Sequence, residues 1–169
     1  MLNLSKAKPN ILLAAIASFA LIFISTMAVA GTKEGETKKY SKSSIVQVRD
    51  LYKIKIALDK YYKDNGAYPK SSGGFDVWDG FSTCWGKSTP DWIPGLVPKY
   101  IAKLPRDPRK SKDCEQHYLY QSNGTEYKLI SHKPSSECFE TAKKNYPELI
   151  DPHRPTWAFG FWTKNASEW

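Results

Sequence analysis

Between Ile45 and Lys63, Val48, Leu51, Ile54, Leu58, Tyr61 and Tyr62 return every three or four residues. Only a helix gathers residues with that period onto one face. Arg49, Lys53 and Lys60 fall on the opposite face, so the helix is amphipathic and needs a partner for its apolar side. Ser43 or Ser44 is placed to cap its start. Asp64-Asn65-Gly66 supplies a left-handed stop, and Pro69 follows. A chain with this element must provide a second apolar layer.

The second layer is read from Gln116–Ser122 and Thr125–Ser131, which flank Asn123-Gly124, a strong hairpin signal. A two-residue turn would pair Ser122 with Thr125, Tyr118 with Leu129 and Tyr120 with Tyr127. All four of those large side chains then share one face, suited to the helix's apolar stripe. Between helix and hairpin, Pro90, Pro94, Pro98, Pro105 and Pro108 mark a long ordered loop with one short helix near Ile93–Lys103. The stretch from Pro147 to Trp169 alternates prolines and aromatics and reads as an irregular wrap ending in one strand. The fold class is α+β.

Three segments follow from composition. Ile11–Ala30 is 20 residues without a charge, long enough to cross a bilayer as a helix. With Lys6 and Lys8 before it and Ala28-Val29-Ala30 before Gly31, residues 1–30 also have the parts of a cleavable secretory signal. Residues 31–44 read as a polar tether or the start of a helix, and residues 45–169 as the globular domain. An uncleaved segment would hold the chain in the inner membrane. Cleavage after Ala30 would release it to the periplasm or outside.

The formal charge of +8 is unevenly spread. Residues 31–63 hold nine basic and four acidic residues, whereas the 106 residues after them hold 14 basic and 13 acidic. The globular part therefore has no basic surplus to offer nucleic acid. Arg49, Lys53 and Lys60 are instead candidate contacts to a membrane surface or a protein partner. Orientation carries a conflict. Five basic residues lie within 20 residues after the apolar segment and two before it, which for an anchor favours a cytoplasmic domain. The cleavage site and the cysteines favour export.

Cys84, Cys114 and Cys138 permit one disulfide, with Cys84–Cys114 the preferred pair and Cys138 left over. Cys114, His117, His132 and Cys138 have zinc-like residue types. In a regular strand, however, Cys114 points away from the face that His117 and His132 share. No metal, cofactor or catalytic residue is assigned, since Gly-x-Ser-x-Gly, His-Glu-x-x-His and phosphate-loop motifs do not occur.

The run Ile56-Ala57-Leu58-Asp59-Lys60-Tyr61-Tyr62-Lys63-Asp64-Asn65-Gly66-Ala67-Tyr68-Pro69 resembles the helix end and Tyr-Pro turn of type II secretion major pseudopilins. Leu96-Val97-Pro98, Tyr100-Ile101, Leu104-Pro105-Arg106-Asp107-Pro108, the Tyr118/Tyr120 strand and Tyr127–Ser131 follow in that family's order. The resemblance covers roughly residues 45–133. It implies a pilin-like fold, in which an N-terminal helix packs on a small antiparallel sheet. It implies a non-enzymatic subunit of a periplasmic filament in the bacterial cell envelope, partnered by other pilin-like subunits. Tyr68, Pro69, Leu104, Pro105, Asp107, Pro108, Tyr118 and Tyr120 are the structural residues it carries over. The family's Gly-Phe junction and the glutamate of its apolar stem have no counterpart here, and His132–Cys138 holds one carboxylate where the family binds calcium. A free periplasmic or secreted binding module, using some of the six Trp and ten Tyr as a ligand surface, is the alternative.

Overall fold

A computed structural model of the chain describes residues 34–71, 81–84, 89–109 and 114–169. The apolar segment Ile11–Ala30 lies outside them. Among the described residues no helix is long and apolar enough to cross a membrane.

Helices α1 (Glu34–Ser41) and α2 (Val46–Asn65) lead into a four-stranded antiparallel sheet of β1 (Phe81–Ser82), β2 (His117–Ser122), β3 (Tyr127–His132) and β4 (Ala158–Trp162). Its strand order is β1-β2-β3-β4. Helix α3 (Ser136–Asn145) and a 3-10 turn at Pro147–Leu149 link β3 to β4. The architecture is α+β.

Helix α2 ends as its sequence requires. Gly66 takes φ 70° and its N–H donates to the Tyr62 carbonyl. The start differs from expectation: Ile45 occupies the cap position with no side-chain cap bond. Ser43 turns its hydroxyl to the Ile45 N–H instead, at 3.1 Å. In the stretch expected as tether or helix start, α1 buries Tyr40, whose hydroxyl donates to Glu148 at 2.6 Å.

The hairpin keeps its faces and changes its register. Ser122 pairs with Tyr127, Tyr120 with Leu129 and Tyr118 with Ser131, a slip of two residues from the two-residue turn. Polar side chains hold the longer loop. Asn123 Oδ1 accepts the N–H groups of Thr125 and Glu126, and Ser122 Oγ takes the Gly124 N–H while donating to the Glu126 carbonyl. An even slip preserves which side chains share a face. Tyr118, Tyr120, Tyr127 and Leu129 therefore still meet Val48, Leu51, Ile54 and Leu58 in one core, joined by Phe159 and Phe161 of β4.

One further expectation is corrected, and one element was not foreseen. Ile93–Lys103 is a run of turns, not a helix: Pro94 and Pro98 lack donors and Gly95 sits at φ +82°. The segment after β3 contains α3, capped by Ser135, whose side chain accepts from the Cys138 N–H. The main core draws on residues from Tyr40 to Phe161, within a compact unit spanning Thr32–Trp169. That unit has what it needs to fold without the residues before it.

The reverse face of the sheet is also covered. Leu119, Ile130 and Ala158 form a second cluster with Trp157 and Trp169 against it.

Candidate interaction surface and buried polar sites

The outer side of α2 carries the cations that the helical period predicts. Arg49 is half-buried, while Lys53 and Lys60 are exposed. Arg49 and Lys53, one turn apart, border a cleft of about 320 Å³ with Ser41 at the end of α1, Tyr52 and Ile56 of α2, and Ile101. The cleft surface is mainly apolar. Among the described residues no ion pair is formed by Arg49 or Lys60, and Lys53 reaches Asp50 only at 3.9 Å. Lys60 follows on the same stripe but does not line the cleft.

The residues singled out by resemblance tie the helix to the sheet. Tyr68 donates its N–H to the Gly124 carbonyl at 2.7 Å, and its ring packs on Tyr62 and Tyr127. The Tyr120 hydroxyl donates to the Pro69 carbonyl at 2.9 Å, so the helix exit is pinned to the hairpin. Tyr118 donates to Asp50 at 3.2 Å, and burial raises the Asp50 pKa above the usual carboxylate range. Leu104 is buried, and the Pro105 carbonyl accepts the Trp92 indole N–H at 3.0 Å. Asp107 holds the Arg109 guanidinium through both carboxylate oxygens, whereas Pro108 is exposed.

Cys84 and Cys114 form a disulfide, and Cys138 is a free, half-buried thiol on α3. Burial pushes the Cys138 thiol up to about 11, which makes it a poor nucleophile. The four zinc-type residues are thus divided, with Cys114 committed to sulfur. Among the described residues no group of three or more His, Cys, Asp or Glu is arranged to hold a metal. The disulfide links residues 30 apart in sequence, so its removal in a Cys84→Ser/Cys114→Ser variant is expected to cost about 3 kcal/mol. Urea unfolding with and without dithiothreitol checks this: reductant should lower the midpoint of the parent and leave the variant unchanged.

No protein-family model, curated protein or solved structure matches this chain.

His117 and His132 are cross-strand partners with ring centroids 5.0 Å apart. His132 Nδ1 lies 2.6 Å from the Glu115 carbonyl, and its ring meets Trp157 edge-on. Burial lowers the His117 pKa to about 4, and the neighbouring His132 adds to the effect against weaker support from Asp107. An unfolded chain protonates His117 near 6.5, but the native state does so only near 4. Stability is therefore full above pH 6.5 and lost as pH falls toward 4. Unfolding by urea should show about 2 kcal/mol less stability at pH 5 than at pH 7 from this group, and His117→Gln should flatten the difference.

The site that sequence reasoning missed lies on the reverse face. Lys128 of β3 is wholly buried, and its ammonium donates to Asp151 Oδ1, the Ser167 carbonyl and the Trp169 main-chain oxygen, each at 2.8 Å. Arg154 donates to Asp151 Oδ2 at 3.2 Å and to the Trp169 main-chain oxygen at 2.6 Å. The Asp151 carboxylate also accepts the His153 N–H at 3.0 Å. Three acceptors around one ammonium make a saturated ion site, which suits a lock and not a nucleophile. The only advance signal is a lysine inside the strand between Tyr127 and Leu129.

Proposed function

We propose that this chain is a non-catalytic, pseudopilin-like subunit of a type II secretion or type IV pilus-like envelope assembly, with its globular part on the periplasmic side. The observation that carries the reading is the way Tyr68-Pro69 closes α2 onto the hairpin, through the Tyr68 N–H and the Tyr120 hydroxyl. These are the residues on which the family resemblance rests, and each has a structural task suited to a pilin-like head. The Cys84–Cys114 disulfide fits an oxidising compartment. Tyr40, Tyr52, Trp92, Tyr118, Tyr120 and Tyr127 are all buried, which favours packing over a ligand platform as the use of the aromatics.

The apolar segment Ile11–Ala30 supplies the anchor in this reading. Intact-mass measurement on the membrane and soluble fractions of cells tests it. A membrane-bound species retaining Ile11–Ala30, cross-linked to like copies by a short amine-reactive reagent, is the expected result. A soluble species beginning at Gly31 would overturn it.

A further inference from the structure

We infer that the cleft bordered by Arg49 and Lys53 binds an anionic phospholipid, with the phosphate between the two cations and the upper acyl chain against Tyr52, Ile56 and Ile101. The inference rests on the membrane-anchored reading above for its setting, and on the cleft itself for its chemistry. A cleft of about 320 Å³ lies at the lower end of ligand-site volumes, large enough for a chain or a headgroup and too small for a second helix. Its apolar wall asks for hydrocarbon, and its border asks for an anion.

The cations are available for that role. Three other lysines of this region have short-range acidic partners, Lys38 with Glu34, Lys39 with Glu148 and Lys55 with Asp59, at 2.9, 2.5 and 2.9 Å, whereas Lys60, which also lacks one among the described residues, lies away from the cleft. Arg49 forms no ion pair among the described residues, and the 3.9 Å contact of Lys53 with Asp50 leaves the Lys53 side chain 64% exposed. Asp50 itself is occupied by the Tyr118 hydroxyl. The structure thus spends its acids elsewhere and leaves two cations one turn apart beside apolar surface.

An acidic protein segment shares part of this chemistry. The lipid is favoured by the setting in the chain. The cleft begins at Ser41, eleven residues after the 20-residue uncharged segment, within the stretch that carries the basic excess. Basic residues close to a membrane anchor meet the phospholipid headgroups of that membrane at high local concentration, and each attracts anionic ones.

The test uses residues 32–169, which carry the complete core, and follows NMR shifts during titration with dihexanoyl phosphatidylglycerol below its micellar concentration. Saturable shifts confined to Arg49, Tyr52, Lys53, Ile56, Ile101 and their neighbours are expected, with a Kd on the order of 1 mM. Arg49→Ala and Lys53→Ala should each weaken binding about five-fold, with folding checked by the dispersion of the core resonances. Lys143→Ala, on exposed α3, should leave binding unchanged. Equal shifts with dihexanoyl phosphatidylcholine would reduce the cleft to a chain-binding surface and overturn the proposal. So would binding of inorganic phosphate alone, preferential binding of an acetyl-Leu-Glu-Phe-amide peptide, or no saturable shift. A head that binds the lipid, in a protein that begins at Gly31 in cells, would keep the site and sink only the anchored-subunit reading.

Discussion

Asp151→Ala is expected to destabilise the domain by about 3–5 kcal/mol, because it removes one carboxylate from between two cations. Lys128 and Asp151 side chains are both fully buried, and that of Arg154 nearly so. With Asp151 gone, Lys128 keeps the Ser167 carbonyl and the Trp169 main-chain oxygen, and Arg154 keeps the latter. Each loses the ion pair it makes with that carboxylate. The cost comes from removing a carboxylate that serves two buried cations, and exceeds whatever the intact pair contributes over an apolar filling. Lys128→Met therefore makes the informative contrast. It removes a buried charge along with its partner contact and leaves Asp151 with Arg154 and the His153 N–H, so a smaller loss of about 1–3 kcal/mol is expected. Equilibrium urea unfolding measures both. The two variants should also share a local signature. The segment Ser167–Trp169 is held to the sheet through its carbonyls, so the amides of Ala166 and Trp169 should exchange faster with solvent. Equal global losses for the two variants would mean that the volume of the lysine matters and its charge does not.

That lock was hidden from sequence reasoning for a definite reason. Strand alternation reports which residues share a face, and it puts Lys128 opposite Tyr127 and Leu129. It does not report whether the second face is covered. The cover here comes from Trp157 and Trp169, distant in sequence and irregular in conformation, so no local period announces it. The same limit explains the hairpin. Its faces were legible because a two-residue slip leaves them unchanged, but its loop length depends on Ser122 and Asn123 bonding to the loop backbone, which the Asn-Gly pair obscured. Helix α2 and its Gly66 stop were legible because six apolar residues at one period overdetermine a helix. Helix α3 buries only Phe139 and Ala142 within its ten residues, too few for periodicity to be seen, leaving the Ser135 cap as its one local sign. Of the cations placed opposite the apolar stripe, Lys53 and Lys60 are exposed and Arg49 is half-buried. The cleft beside Arg49 and Lys53 was not foreseeable, since Ser41 and Ile101 reach it from other parts of the chain.

Gly160→Ala is expected to cost about 4 kcal/mol or more, or to prevent folding, although alanine differs from glycine by one methyl group. Gly160 is in β4 opposite Ile130 of β3. A Cβ at this position would lie 2.0 Å from the Leu129 carbonyl oxygen, 2.8 Å from the Ile130 Cα and 2.9 Å from the Leu129 carbonyl carbon. All three atoms are backbone, so no side chain can rotate to make room. Relief requires β4 to move away from β3, which breaks ladder bonds and draws Phe159 and Phe161 out of the core they share with α2. Gly35→Ala supplies the control. Gly35 is in α1 and an added Cβ meets nothing within 4 Å, so alanine there is expected to be neutral or to stabilise by up to about 1 kcal/mol. Thermal and urea unfolding of the two variants side by side test the claim. A Gly160→Ala protein as stable as its parent would mean that β4 is not held against β3 at this distance. The covering of the reverse face by Trp157 and Trp169, and the seat of Asp151 beside Lys128, depend on the same placement of β4 and would have to be revised with it.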